Sequence, residues 1–282
     1  MKVLVTNDDG IESPGLHALA RALVEAGYEP LVVAPDRDMS GSGAAIGQIH
    51  VDEHIDADKV ELPGLPGVPA YAVDGPPGLC VLAARLGGFG DVPDVVVSGV
   101  NPGCNTGRAV LHSGTVGAAL TAANFGGRGL AVSIDVGSTR VQEQGPAGRS
   151  GGAAPRWSGP DHWETAADAA AAAVAWLAAA SKGTVLNVNV PDRAADDLAG
   201  ARAATLAPFG TVRSSVVESA ADGGRLQVEL RPTVVELPPG CDTALVAEGY
   251  VAVSAITGIQ LATDVDLGAV LRDVVPGGRR TA

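Results

Sequence analysis

Short apolar runs with no polar residue inside them, each ending in a polar turn, constrain this chain most. Residues 2–6, 30–34, 94–98 and 129–134 contain Val3-Leu4-Val5, Leu31-Val32-Val33-Ala34, Val95-Val96-Val97 and Leu130-Ala131-Val132, and residues 184–190 read as a further strand ended by Pro191. A strand with one face in water alternates polar and apolar residues. A strand that does not alternate is covered on both faces, as in parallel sheets. Between the first two runs, residues 14–26 have helical spacing. Pro14 suits a first helical position after Ser13, Leu16, Leu19, Ala20 and Leu23 share one face, and Gly27 ends the segment. The strand–helix–strand unit, repeated, predicts an α/β fold: an open, Rossmann-like, doubly wound and mostly parallel sheet. Ligands bind such sheets outside the carboxyl ends of the strands.

Helices are also expected over 76–86, 113–124 and 163–180, a polar loop over 35–48 and a loop over 99–111. Residues 49–73 hold short strand-like pieces broken by Pro63, Pro66 and Pro69. Residues 136–160 are rich in Gly, Ser, Gln and Arg and read as a flexible excursion. Beyond residue 200 the strands lengthen, at 212–217, 225–230 and 233–237, with a last helix at 267–275. This gives a catalytic core over 1–200 and a β-rich extension with an oligomerisation element over 201–282.

Composition excludes several function classes. The formal net charge is −13, which repels nucleic acid duplexes and anionic membranes. No stretch reaches the roughly 20 apolar residues of a membrane span. Cys80, Cys104 and Cys241 are few, odd in number and far apart, which fits a reducing cytoplasm better than a disulfide framework.

The chemistry gathers at the strand ends. Residues 2–6 lead into Asn7-Asp8-Asp9-Gly10. Adjacent carboxylates repel unless a hard cation sits beside them, and Gly10 lets the backbone turn sharply. An Asx-type turn is the alternative reading. The second run leads into Asp36-Arg37-Asp38-Met39-Ser40-Gly41-Ser42-Gly43. There Ser40 offers a hydroxyl oxygen to Mg²⁺ or Mn²⁺ and Gly41 a close backbone approach to phosphate; a solvated loop is the alternative. The third leads into Gly99-Val100-Asn101-Pro102-Gly103-Cys104-Asn105. Asn101 and Asn105 bring amide oxygens without added charge, or are simply turn formers. Ser113-Gly114-Thr115 open the next helix, whose free N–H groups and dipole suit an anion, with an ordinary N-cap as the alternative. Each signal is weak alone. All lie on the one edge of a doubly wound sheet where ligands bind.

Those residues resemble the survival protein SurE family of 5′/3′-nucleotidases. The matching stretches are VTNDDGIESPGLHAL, VVAPDRDMSGSG, YAVDGPPGLC, DVVVSGVNPGCNTG, HSGTVGAAL, VLNVNVP and EGYVAVSAITG, in the family's order over most of the chain. The resemblance implies a β-hairpin extension, a swapped C-terminal element, and homodimers or homotetramers. It also implies hydrolysis of nucleoside 5′- and 3′-monophosphates with one divalent metal ion, Mg²⁺ or Mn²⁺, per subunit. Carried over by motif, Asp8, Asp9, Ser40 and Asn101 are metal ligands, and Ser113, Gly114 and Thr115 line the phosphate site with Asn105. The chain departs from the family at His112, usually Tyr, at Thr121, usually Glu, and over Pro76-Pro77-Gly78-Leu79 and Val253–Thr257.

Other readings compete. A specialised phosphatase for another phosphorylated metabolite, or a silent nucleotide-binding homologue, would share the fold. A dinucleotide site fails on motif, because the first turn carries Asp8-Asp9-Gly10 and not a glycine-rich pyrophosphate loop. His112 reads as a packed histidine before a helix, with a proton donor as the sharper alternative. His50 and His54, with Asp52, Glu53 and Asp56, read as a solvated acidic edge, and Cys104 as incidental.

Overall fold

A computed structural model describes residues 1–47, 54–136, 159–208, 212–218, 227–232, 236–260 and 264. The excursion at 137–158 and the expected helix at 267–275 lie outside them, as do His50, Asp52 and Glu53.

The elements run β1 (Lys2–Thr6), α1 (Pro14–Glu25), β2 (Glu29–Pro35), β3 (Ala57–Val60), β4 (Ala70–Val73), α2 (Pro77–Arg85), β5 (Val95–Pro102), a 3₁₀ turn (Gly107–His112), α3 (Gly114–Asn124), β6 (Arg128–Ile134), α4 (Trp163–Ala179), β7 (Val185–Val190), β8 (Ala201–Ala203), β9 (Val212–Glu218), β10 (Gln227–Pro232), α5 (Asp242–Ala247) and β11 (Val251–Ile256). The main sheet has nine strands in the order β3-β4-β2-β1-β5-β6-β7-β11-β8. From β4 through β7 the neighbours are parallel. At the flanks β3 is antiparallel to β4 and β11 to β7, while β8 is parallel to β11. β9 and β10 form a separate antiparallel pair, the expected hairpin. The doubly wound, mostly parallel α/β architecture expected from the sequence is the one observed.

The unalternating strands are covered on both faces, as their composition requires. Val3, Val5, Val95 and Val97 meet α1 and α4 on one side; Leu4, Leu31, Val33 and Val96 meet α2 and α3 on the other. Leu16, Leu19 and Leu23 of α1 are fully buried, worth on the order of 2 kcal/mol each.

Two expectations are corrected. Residues 99–111 are not one loop: β5 continues through Pro102, pairing Asn101 with Ser133 and Pro102 with Ile134 after a register irregularity, and a 3₁₀ turn follows. Pairing to β6 overrides the breaker residues Gly99 and Pro102. In the expected strand at 233–237, the described residues Glu236 and Leu237 are not in a strand. β8 and β11 lie beyond residue 200 yet belong to the main sheet, so the sheet draws on both sides of that position.

Candidate metal and phosphate site

β1 delivers the acidic turn to the carboxyl edge of the sheet. Gly10 has φ +95°, and a Cβ there would lie 3.0 Å from the backbone carbon of Arg37, so the turn packs against the loop after β2. That loop is drawn over the acidic pair by Met39, whose N–H donates to the Asp8 carbonyl at 2.7 Å. Ser40 follows, exposed, with its N–H on Asp38 Oδ1 at 2.8 Å. Gly41 has φ +82° and no neighbour within 4 Å of a Cβ, so backbone conformation is what asks for glycine there. A close backbone contact within the protein falls between Gly43 and Gly117, where a Cβ on Gly117 would lie 2.2 Å from the Gly43 carbonyl oxygen.

α3 enters from the other side. A Cβ on Gly114 would lie 2.7 Å from Asp8 Oδ2 and 2.8 Å from Ser42 Oγ. The helix start therefore faces the acidic turn directly. Asp8 is only 4% exposed, and its Oδ1 accepts from the Thr115 hydroxyl at 2.6 Å. Ser113 caps α3, its Oγ accepting from the Val116 N–H at 3.1 Å, which leaves its own hydroxyl proton free to donate outward. The hydroxyl proton of Thr115 is committed to Asp8.

Electrostatics mark the same place. Burial, opposed in part by the Thr115 hydrogen bond, raises the pKa of Asp8. Burial, then the charges of Asp8 and Asp38, pushes Asp9 up to about 8. Asp9 Oδ2 is buried without a hydrogen-bond partner, and so is Ser42 Oγ. A raised carboxyl pKa means that the folded state holds protons the unfolded chain releases. Without a cation, the contribution of Asp9 to stability is therefore fully present below about pH 4 and is lost as pH rises through about 8. Thermal melts in EDTA across that range are expected to show the midpoint falling with pH.

The Asn residues arrive from β5. Asn101 Nδ2 donates to the Gly103 carbonyl at 2.6 Å, which leaves Oδ1 as the atom able to meet a cation. Asn105 is held closely. Its carbonyl accepts from Asn187 Nδ2 at 2.8 Å and Asn189 Nδ2 at 3.0 Å. Its N–H donates to Asn189 Oδ1 at 2.8 Å, and its Nδ2 donates to Ser133 Oγ at 2.9 Å. Two residues on, the Gly107 N–H donates to the buried Asp242 Oδ2 at 2.8 Å, across 135 residues of sequence.

Among the described residues no group of three or more His, Cys, Asp and Glu could hold a metal ion. The set expected from the sequence instead mixes two carboxylates with hydroxyl and amide oxygens, and an all-oxygen set suits a hard cation. The nearly fully buried Asp8 and the half-buried Asp9, both raised in pKa first by burial, fit that cation, which would supply the missing positive charge.

Several residues play no direct part. Arg37 is taken up by Asp36 and Asp74, both at 2.8 Å. His112 is exposed at the end of the 3₁₀ turn, not packed as expected, because the turn presents its last residues to solvent. Burial, then Asp135 and Asp242, raises the Cys104 thiol well above its usual range. His54 is exposed and not in a helix, and its suggested partner His50 lies outside the described residues. The sequence reading passed over Ser42, Asn187 and Asn189. For the Asn pair the signal was present, as polar residues inside the buried strand Val185–Val190.

No helix among the described residues is long and apolar enough to cross a membrane. The family model described as survival protein SurE matches residues 3–211. A protein of Xanthomonas euvesicatoria pv. vesicatoria named 5′-nucleotidase SurE is 39% identical over 202 residues, covering 71% of this chain and 67% of that protein. One of the same name from Xylella fastidiosa is 41% identical over 194 residues, covering 68% of this chain and 64% of that protein. The crystal structure of the SurE protein from Aquifex aeolicus superposes with a TM-score of 0.70 at 25% identity, covering 97% of this chain and 99% of that one. With the acidic turn, the helix start and the asparagine loop assembled on one sheet edge, and with a family match over most of its length, this chain belongs to the survival protein SurE family.

Proposed function

We propose that this chain is a divalent-metal-dependent phosphomonoesterase that hydrolyses nucleoside 5′-monophosphates, and 3′-monophosphates as well, to nucleoside and phosphate. The observation that carries the reading is the convergence of Asp8 and Ser42 on Gly114, which sets the buried Asp8 carboxyl against the start of α3. The names of the Xanthomonas and Xylella relatives support the substrate class.

Asp8, Asp9, Ser40 and Asn101 would hold Mg²⁺ or Mn²⁺. When bound, the ion would polarise a phosphoryl oxygen and lower the pKa of water. The remaining work falls to the chain itself. Thr115 fixes the Asp8 carboxylate, so Oδ2 faces the Gly114 side. The Ser113 hydroxyl and the second Asn105 amide hydrogen are donors for the phosphoryl oxygens, whose negative charge grows in the transition state. Attack of water forms a P–O bond and breaks the ester P–O bond. Asp9 Oδ2, buried without a partner, is the atom that takes the water's proton, and the departing ester oxygen takes one from solvent. Trapping a stable phosphoenzyme would overturn direct attack by water.

The test is phosphate release from a panel of nucleoside 5′- and 3′-monophosphates with Mg²⁺, Mn²⁺ or EDTA. Metal-dependent release that EDTA removes is the expected result; no release from any nucleotide while Mn²⁺ binds normally would redirect the search to other phosphomonoesters. Thr115→Val keeps the shape of the side chain and removes the hydrogen bond to Asp8. It is expected to weaken Mn²⁺ binding by roughly 10- to 100-fold, read by calorimetry, because a freed carboxylate must be reordered to ligate.

A further inference from the structure

The Val185–Val190 strand is buried at every position, yet carries Asn187 and Asn189, both 0% exposed. Leu186, Val188 and Val190 point into the core beneath α1 and α4, so the two Asn side chains lie on the opposite face, where Asn189 sits beside Ser133 of β6. Apolar residues would serve this position better if stability were all that counted. Asn187 even leaves its Oδ1 buried and unpartnered, a cost that a hydrocarbon side chain avoids. What the pair obtains is one residue: the backbone N–H and C=O of Asn105 both pair with the amide of Asn189, and Asn187 adds a second donor to the same carbonyl. Side-chain amides thus replace the strand partner that β5 loses after Pro102, and the backbone of Asn105 is fixed at both of its polar atoms.

We propose that Asn189, assisted by Asn187, is a positioning residue that sets Asn105 for contact with the phosphoryl group. The inference rests on the reading of Asn105 as a phosphate-site residue. Asn189 touches neither substrate nor cation; it acts through Asn105, and Ser133 fixes the rotation of the Asn105 side chain from the neighbouring strand. A small displacement of a group aimed at a transition state costs rate far more than it costs fold.

The test is a double-mutant cycle of Asn189→Ala and Asn105→Ala in the full chain, below the melting temperature of every variant. Three quantities are read: kcat and KM for a nucleoside 5′-monophosphate, Mn²⁺ affinity, and affinity for inorganic phosphate with Mn²⁺ present. Asn189→Ala is expected to lower kcat about 10- to 100-fold, weaken phosphate binding and leave Mn²⁺ affinity unchanged. The double variant is expected to be no worse than Asn105→Ala alone, since coupled residues are not additive. Asn187→Ala, which keeps both Asn189 bonds, gives the same pattern with a smaller loss and guards against a fold that fails. Normal kcat and phosphate affinity in folded Asn189→Ala would overturn the inference, as would losses that multiply in the double variant. Wild-type behaviour of Asn105→Ala would instead remove the phosphate-site reading of Asn105, and the inference with it. If no nucleotide is turned over, the phosphate-affinity arm of the cycle decides in the same way.

Discussion

Asp9→Asn is expected to abolish metal-dependent phosphate release, with a loss of roughly a thousandfold or more, since a cation supplies several kcal/mol of transition-state stabilisation. Both proposed roles would disappear together: a charge to gather the cation, and the unpartnered Oδ2 to receive a proton. The same variant is expected to melt a few degrees higher than wild type in EDTA near neutral pH. The Asp9 carboxyl is pushed up to about 8 by burial and by Asp8 and Asp38, so the metal-free wild type carries a strained acid that a neutral amide replaces without strain. Phosphate-release assays and EDTA melts on one preparation check both halves. A variant that lost activity and stability together would argue for a purely structural Asp9.

Gly114→Ala is the second large effect, and its cause is space. An added methyl would sit 2.7 Å from both Cβ and Oδ2 of Asp8 and 2.8 Å from Ser42 Oγ. Asp8 is not free to yield, because it is nearly fully buried and held by Thr115. In an open helix Ala would be preferred to Gly; here overpacking is expected to cost about 1–3 kcal/mol. Mn²⁺ affinity is expected to fall at least tenfold, because the displaced carboxylate is a proposed ligand, and calorimetry and thermal melts read the two effects. Gly258→Ala is the control, since a Cβ there meets nothing within 4 Å. Equal behaviour of the two variants would dissolve the claim that Gly114 is where the acidic turn and the helix meet.

Much of this was legible in the chain. β1 and α1 were written in local terms: an unbroken apolar run, a proline at a helix start, four apolar residues on one face and a glycine after the end. Motif order placed the acidic turn, the Ser40 loop, the asparagines and the α3 start on one edge. What stayed hidden depends on partners far away. Ala201–Ala203 has no strand propensity of its own and is a strand because it pairs with Val251–Val253. β5 runs past Gly99 because β6 is there to pair with it. The Thr115 hydroxyl meets Asp8 across 107 residues, so sequence could propose a hydroxyl at the site but not the acceptor it would choose. Ser42 lay in a loop whose path over Asp8 is set by the Met39 N–H.

The order of β7, β11 and β8 also bears on how the protein is made. β11 lies between β7 and β8 although it is the last of the three in sequence. A ribosome therefore delivers β8 before the strand it must join, and the bare edge of β7 waits through some sixty further residues of synthesis. The Asp242 carboxylate that receives the Gly107 N–H arrives equally late. A nascent chain would carry its acidic turn and helix start early and gain the Gly107 contact only once Asp242 has been made, with an open strand edge as its hazard in the interval. A chain stopped at residue 211, where the family match ends, would keep every proposed metal ligand and still lack the strand that completes the sheet.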